Sequence, residues 1–396
     1  MPVPPHFFDH TPTSLAELFD GWGLPPFRAK QVFDWVYAKG VADPAAMTNL
    51  SQRDRTLLTE NLCFVIGRTV RHQRATDGTQ KLLIDWDHAA AATATGTTST
   101  DPTHALPVLP TRPVSGGACA TDDAENDENA WYAGNRTECV MIPSDHDGSG
   151  RPRRTACISS QVGCPVGCKF CASGLGGLDG NLTTGQIVQQ AWQLNWLPGV
   201  GRLSNVVFMG MGEPMANLKN VLPALTALTA DWGLGLSARK VTVSTVGVPV
   251  GIRKLAAFDL PVTLAISLHA PNDALRKAII PWASFVTIQD LIDAGRDYFD
   301  ATGREITLEY ILLSGVNDLP EHAHELVGIC RKLRCNVNLI RYNEVGGLPF
   351  KRPVDGDVRG FRGVLSDAGV NVHIRASRGR DIAAACGQLR HEAAGV

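Results

Sequence analysis

Cys164-Pro165-Val166-Gly167-Cys168-Lys169-Phe170-Cys171 packs three thiols into eight residues, at spacings of four and three. Thiolates so spaced can wrap one short loop around a metal cluster, and cysteine thiolates are the usual holders of iron–sulfur clusters. A [4Fe–4S] cube needs four ligands and this loop supplies three, which leaves one iron open to a substrate or cofactor. Two other readings compete at this point. A zinc site would recruit a fourth donor such as Cys157. An electron-transfer cluster would want a fourth thiolate nearby and no substrate pocket.

Downstream of these thiols, apolar runs of strand length alternate with helical stretches. Strand candidates are 205–209, 240–245, 262–268, 306–313, 336–340 and 371–375, and helices are expected near 183–197, 218–231, 287–301 and 320–334. Such alternation predicts parallel βα units, and about six of them give an α/β fold built as a full or partial (β/α) barrel. In barrels the chemistry sits at the C-terminal ends of the strands, so the residues that follow each strand are the ones to inspect. The run Val206 to Pro214 is a strand entering a glycine-containing turn, where Gly212 allows close backbone approach and Glu213 can accept from an ammonium group. Ser244 ends the next strand, Ser267, Leu268 and His269 end the one after it, and Asn343 follows the strand at 336–340. Any one of these alone reads as a satisfied structural residue; together, at corresponding positions, they read as a binding site.

Upstream, residues 14–62 read as a small helical module in which Ser14 caps the first helix and Phe27, Val32, Phe33, Val36 and Tyr37 fall near helical spacing. Residues 64–86 alternate like two strands around a turn at Asp77-Gly78. Residues 88–136 change character, with an Ala/Thr tract and the acidic group Asp122, Asp123, Glu125, Asp127 and Glu128. So little of that segment is apolar that a disordered insertion is expected. The predicted organisation is therefore an accessory region at 1–87, an insertion at 88–136 and a catalytic barrel at 137–396.

The whole chain has 396 residues, 44% hydrophobic and 19% charged, with a net charge of −2. That length supports one large core or two modest ones. No run of about 18 apolar residues argues for a membrane span, and the N-terminus lacks the pattern of a secretory signal. Ten cysteines in a chain of this size suit a reducing, cytoplasmic setting better than a disulfide scaffold. Global charge does not advertise nucleic acid, but Arg151, Arg153 and Arg154 and, near the C-terminus, Arg375, Arg378 and Arg380 could form local basic faces.

The CxxxCxxC spacing, with an aromatic residue before the last cysteine, resembles the radical S-adenosylmethionine (SAM) superfamily. That resemblance implies a [4Fe–4S] cluster held by Cys164, Cys168 and Cys171, whose open iron chelates SAM and whose electron cleaves it to methionine and a 5′-deoxyadenosyl radical. It likewise implies SAM contacts from Gly212, Glu213, Ser244, Ser267, Leu268, His269 and Asn343. More narrowly, LPPFRAKQVFDWVY (24–37), MTNLS (47–51), CISSQVGCPVGCKFC (157–171), NLTTGQI (181–187), MGMGEPMANL (209–218), LAISLHAPND (264–273), HAHEL (322–326) and RGRDIAAACGQL (378–389) resemble the RlmN/Cfr family of RNA adenine methyltransferases over nearly the whole chain. Adenine carbon 2 is electrophilic, so ordinary methyl transfer, which needs a nucleophile, does not serve. The family's answer, carried over here, uses two SAM molecules. Cys386 takes a methyl group, a hydrogen is removed from it, and the methylene radical adds to the base. Glu138 accepts the ring proton, and Cys157 attacks the Cys386 sulfur to release product with a disulfide.

The substrates that the resemblance implies are 23S rRNA at the peptidyl-transferase centre and the tRNA anticodon loop. It also implies an electron donor of the flavodoxin or ferredoxin type and a monomeric enzyme. GLPFKRP (347–353) and QVGCPVGC (161–168) are closer to the carbon-2 branch than to the carbon-8, resistance-type branch. The chain departs from the family pattern in the 88–136 insertion and in a longer link from Pro143 to Cys157. The contrasting reading from another class is a non-catalytic RNA-binding protein carrying a cluster or zinc.

Overall fold

The computed structural model describes residues 4–86, 135–144 and 152–389. The insertion predicted at 88–136 lies almost wholly outside them, as do the acidic group within it and Arg151.

The first helix, Pro12–Gly21, begins before Ser14. Thr11 is its N-cap, Ser14 completes a reciprocal capping box at the third position, and Pro12 occupies the first turn, where its missing N–H costs nothing. The second helix, Phe27–Phe33, widens into a π turn at Asp34–Ala38. Val32, Phe33, Val36 and Tyr37 face the core as the spacing predicts, whereas Phe27 is 60% exposed. With Phe7, Phe8 and the third helix, Gln52–Asn61, they form a small aromatic-rich unit. It docks on helix Thr184–Asn195, where Trp192 packs against Phe8 and donates its indole N–H to the Val36 carbonyl at 2.8 Å.

The rest is organised by one ten-stranded sheet. Its antiparallel side is β1 (Arg68–Arg74), β2 (Gln80–Asp85) and β3 (Arg136–Ser144), with β3 antiparallel to β4 (Arg153–Cys157). A separate ribbon, β5 (Gln161–Gly163) with β6 (Leu178–Asn181), forms the base of the cysteine loop. Next come β7 (Asn205–Phe208), β8 (Val241–Thr245), β9 (Thr263–Ser267), β10 (Ile306–Leu312), β11 (Cys335–Arg341) and β12 (Val372–Arg375). From β4 through β12 every sheet neighbour is parallel. Parallel neighbours require crossovers, supplied here by helices such as Leu218–Thr229, Ile288–Thr302 and Pro320–Cys330. Every residue of β10 is buried, as a strand covered on both faces should be.

The six strands expected from sequence are all present, each within a residue or two of its predicted ends. β1 and β12 are not paired to each other, so the barrel is partial. Loops bring the two sides together instead: Gly379 N donates to Asp77 Oδ2 and Thr76 N donates to Asp381 Oδ2, both at 2.9 Å. The turn between β1 and β2 thus holds the segment after β12 that carries Cys386.

Candidate active site

Strand alternation sorts the residues of β3 and β4 between two environments. Cys139, Met141, Ala156 and Ile158 join the main core. Val140 and Cys157, register partners across β3 and β4, face a smaller cluster with Val207, Met211, Ala384 and Leu389. Glu138, two residues before Val140, shares that side and is 1% exposed. Lys81 Nζ lies 2.6 Å from Glu138 Oε1.

The cysteine loop leaves β5 at Cys164 and returns at β6, closed by a bond from Cys164 N to the Gly177 carbonyl at 2.7 Å. Burial pushes Cys164 up to about 12 and Cys168 well above the ordinary thiol value, and neighbouring thiols of the loop add to both rises. Cys171 is raised as well, by burial first. A metal would have to displace these protons. A donor set of three half-buried thiols on one glycine-containing loop fits a [4Fe–4S] cube with one open iron.

The segment holding Cys386 lies against this loop. Ala172 N, one residue beyond Cys171, donates to the Gly387 carbonyl at 2.8 Å, and Ser173 Oγ donates to the Leu389 carbonyl at 2.7 Å. Asn343 Nδ2 donates to the carbonyl of Cys386 itself at 3.3 Å. Cys157, Cys171, Met209, Asn343, Arg375 and Cys386 consequently line one cavity of about 110 Å³. Burial, then the charge of Cys386, pushes the Cys157 thiol up to about 12, while Arg375 opposes that rise. Both Cys157 and Cys386 are free thiols here.

The expected SAM contacts gather on the same end of the barrel. Glu213 is 4% exposed, and its carboxylate accepts from Val246 N at 2.7 Å and Met215 N at 3.0 Å. Burial raises its pKa and those N–H donors work against the rise. Gly212 has φ +102, and an added Cβ there would lie 2.7 Å from Gln161, so only glycine fits. Ser244 Oγ and Ser267 Oγ are 3.4 Å apart across β8 and β9. His269 adopts φ +59, and its Nδ1 accepts from Ile311 N at 3.1 Å. Burial, reinforced by the Arg276 charge, holds His269 down at about 3, so the ring is neutral and keeps Nδ1 as an acceptor. Leu268 is buried beside it, with its N–H bonded within the fold.

Some residues escaped the sequence reading. Arg276, wholly buried, donates to the carbonyls of Leu268, Ser267 and Val246 and so ties the ends of β8 and β9 together. Arg375, expected on a basic surface, instead turns inward: it pairs with buried Glu309 at 3.2 Å and touches Met209 Sδ. The Glu309 charge raises its pKa. Neither partner could be paired from spacing, because both lie on distant strands. Arg153 and Arg154, with Arg74, line a separate groove of about 580 Å³ between the β1–β2 turn and the ends of β3 and β4.

The sequence profile of the "Radical SAM superfamily" matches residues 158–327, and that of the "Ribosomal RNA large subunit methyltransferase N-terminal domain" matches residues 6–64. The solved "radical SAM methyltransferase from Sphaerobacter thermophilus" superposes with a TM-score of 0.82 at 35% identity, covering 98% of this chain and 99% of that one. The partial barrel, the three-thiol loop and these matches make the chain a radical SAM protein. The "Probable dual-specificity RNA methyltransferase RlmN" of Rhodopirellula baltica is 39% identical over 97% of this chain and 90% of its own length. The "Dual-specificity RNA methyltransferase RlmN" of Dichelobacter nodosus is 38% identical over 97% and 93%. The chain belongs to the RlmN family.

Proposed function

We propose that this protein methylates carbon 2 of an adenine in RNA, on 23S rRNA at the peptidyl-transferase centre and on the tRNA anticodon loop, with the methyl group carried on Cys386. The observation that carries this reading is the shared cavity: Cys157 and Cys386, far apart in sequence, line one small space with the cluster ligand Cys171. When bound, the [4Fe–4S] cluster and SAM would supply the methyl group and the hydrogen-abstracting radical, and the cluster would take back the one electron that radical addition to the base leaves in excess.

This chain's own residues do the rest. Cys164, Cys168 and Cys171 would hold the cluster, and Gly212, Glu213, Ser244, Ser267, Leu268, His269 and Asn343 would hold SAM. Cys386 becomes joined through the transferred carbon to the base. Glu138 takes the ring proton from carbon 2, the C–H electron pair staying with the ring. Cys157 then attacks the Cys386 sulfur as its thiolate; an S–S bond forms as the C–S bond breaks, and the electron pair left on the transferred carbon takes up a proton from solvent, which completes the methyl group and frees the methylated RNA. Such a base must be drawn out of its stack, and RNA is recognised largely by shape and phosphate contacts. Arg74, Arg153 and Arg154 around the open groove are the candidates for those contacts, while Arg375, committed to Glu309, serves the cavity. An electron donor of the flavodoxin or ferredoxin type, a monomeric state and a cytoplasmic location complete the reading.

The test is to incubate reconstituted protein, reductant and methyl-labelled SAM with rRNA and anticodon-loop fragments, then identify the modified nucleoside by mass spectrometry. 2-Methyladenosine is expected. 8-Methyladenosine would move the protein to the carbon-8 branch, and no label in RNA would favour a non-catalytic binding protein.

A further inference from the structure

Lys81 was read from sequence only as part of an alternating strand. In the fold it occupies a row that runs straight across the sheet: Lys81 is the register partner of Val140, and Val140 is the partner of Cys157. The lysine therefore stands in line with the cysteine proposed to release product. It is 3% exposed, and its ammonium lies 2.6 Å from Oε1 of Glu138, which is 1% exposed. It donates a second bond, at 3.2 Å, to the carbonyl of Ala383, three residues before Cys386. Ala383 sits at φ +49, a left-handed conformation that a residue with a Cβ holds only when its surroundings fix it.

Two of the three donors of the Lys81 ammonium are engaged by these contacts. The lysine joins the proposed proton acceptor to the segment that carries the methyl-bearing cysteine. A cation this close favours the carboxylate over the acid, and a two-point hold on Nζ restricts where the carboxylate can point. We infer that Lys81 is a positioning residue for the release half of the reaction: anchored on the Ala383 carbonyl of a segment that contacts at Asp77 and Asp381 already hold, it keeps Glu138 a carboxylate and aims it. The inference rests on the role proposed above for Glu138. In the step it serves, the C–H bond at carbon 2 breaks, its proton passes to Glu138, the electron pair stays with the ring, and Lys81 keeps its own protons throughout. β2 thereby contributes to a step whose reacting groups all come from β3, β4 and the C-terminal segment.

The experiment uses full-length, cluster-reconstituted protein in four forms: Lys81→Met, Lys81→Arg, Glu138→Gln and the Lys81→Met/Glu138→Gln double variant. Two quantities are read. Methyl content of Cys386 by mass spectrometry reports that the fold, cluster and SAM site are intact. The decay rate of the covalent protein–RNA adduct in single turnover reports release. Lys81→Met should carry wild-type methyl content but resolve its adduct at least ~10-fold more slowly, as slowly as Glu138→Gln. Lys81→Arg should recover to within about threefold of wild type, because the charge returns. The double variant should be no slower than Glu138→Gln alone, since a residue acting through another adds nothing once that other is gone. Wild-type adduct decay in Lys81→Met, loss of Cys386 methylation in that variant, or multiplicative slowing in the double variant would each overturn the inference. If Glu138→Gln itself resolves its adduct at the wild-type rate, the assignment of Glu138 is what falls.

Discussion

At the residue scale, the chemistry depends on two cysteines in unlike settings. Cys157, on a strand and 7% exposed, has its thiol pushed up to about 12 by burial and by the charge of Cys386. Its attack on sulfur requires the thiolate; at that stage Cys386 is a thioether and contributes no charge, but burial still holds the Cys157 thiol up, and below its pKa the thiolate fraction grows about tenfold per pH unit. Release should therefore speed up as pH rises, by up to about tenfold per pH unit from about pH 7 to 9. Quenched time courses at several pH values measure this, and a flat profile would mean that Cys157 is not the group whose deprotonation limits release. Arg375 is the group positioned to ease that deprotonation, and its own place is fixed by Glu309, whose carboxylate also accepts from Asn338 Nδ2 at 2.9 Å. Cys157 and Cys386 were legible in sequence because they stand in distinctive motifs. Lys81, Glu309 and Arg276 were not, because a buried charge reveals its role only through a partner that tertiary register chooses. Arg375 shows the converse: counted with its basic neighbours it suggested an RNA-facing surface, and one acidic residue on a distant strand turned it inward.

At the scale of elements, the cysteine loop is a short crossing between the strands of a small ribbon, so its three thiols depend on one backbone path. Replacing Cys164, Cys168 or Cys171 by Ala removes one corner of support from the cube. Each variant should lose the visible iron–sulfur absorbance after anaerobic reconstitution while its circular dichroism stays near wild type. Full iron and sulfide content in all three would remove the assignment. The segment between β2 and β3 offers a second prediction. Trp86 N donates to the Asn135 carbonyl at 2.9 Å, so the chain leaves and re-enters the sheet at adjacent points. Replacing about residues 90–133 by a bridge of roughly four Gly/Ser residues should preserve cluster content and Cys386 methylation, because loop closure costs stability only slowly with length. A product unable to hold its cluster would contradict this. Strand positions were legible because β-branched runs between turn residues mark them clearly. Short helices such as Pro249–Ala256 and Asp273–Ile279 were not, since two turns carry too little periodicity to stand out. The first helix was placed late for a related reason: Ser14 looks like a cap, yet it is the inner half of a capping box begun by Thr11.

At the scale of the whole molecule, three parts of the chain meet at one end of a partial barrel: the cluster loop after β5, the polar ends of β8, β9 and β11, and the segment after β12. The last of these is held from the far side of the sheet by Asp77 and Thr76 of the β1–β2 turn and by Lys81 of β2. Alternating strands and helices made the barrel class readable. That the barrel stops short of closing, and that a loop completes it, depends on long-range contacts that no local pattern records. The central claim is that Cys386 carries the new carbon to RNA and Cys157 cuts it free. The most direct measurement is a denaturing gel of each cysteine variant after single turnover with labelled RNA. Cys157→Ala should show a covalent protein–RNA band, because resolving the thioether needs a second sulfur nucleophile, and Cys386→Ala should show none. Normal turnover by Cys157→Ala, or the same behaviour in both variants, would contradict the two-cysteine account.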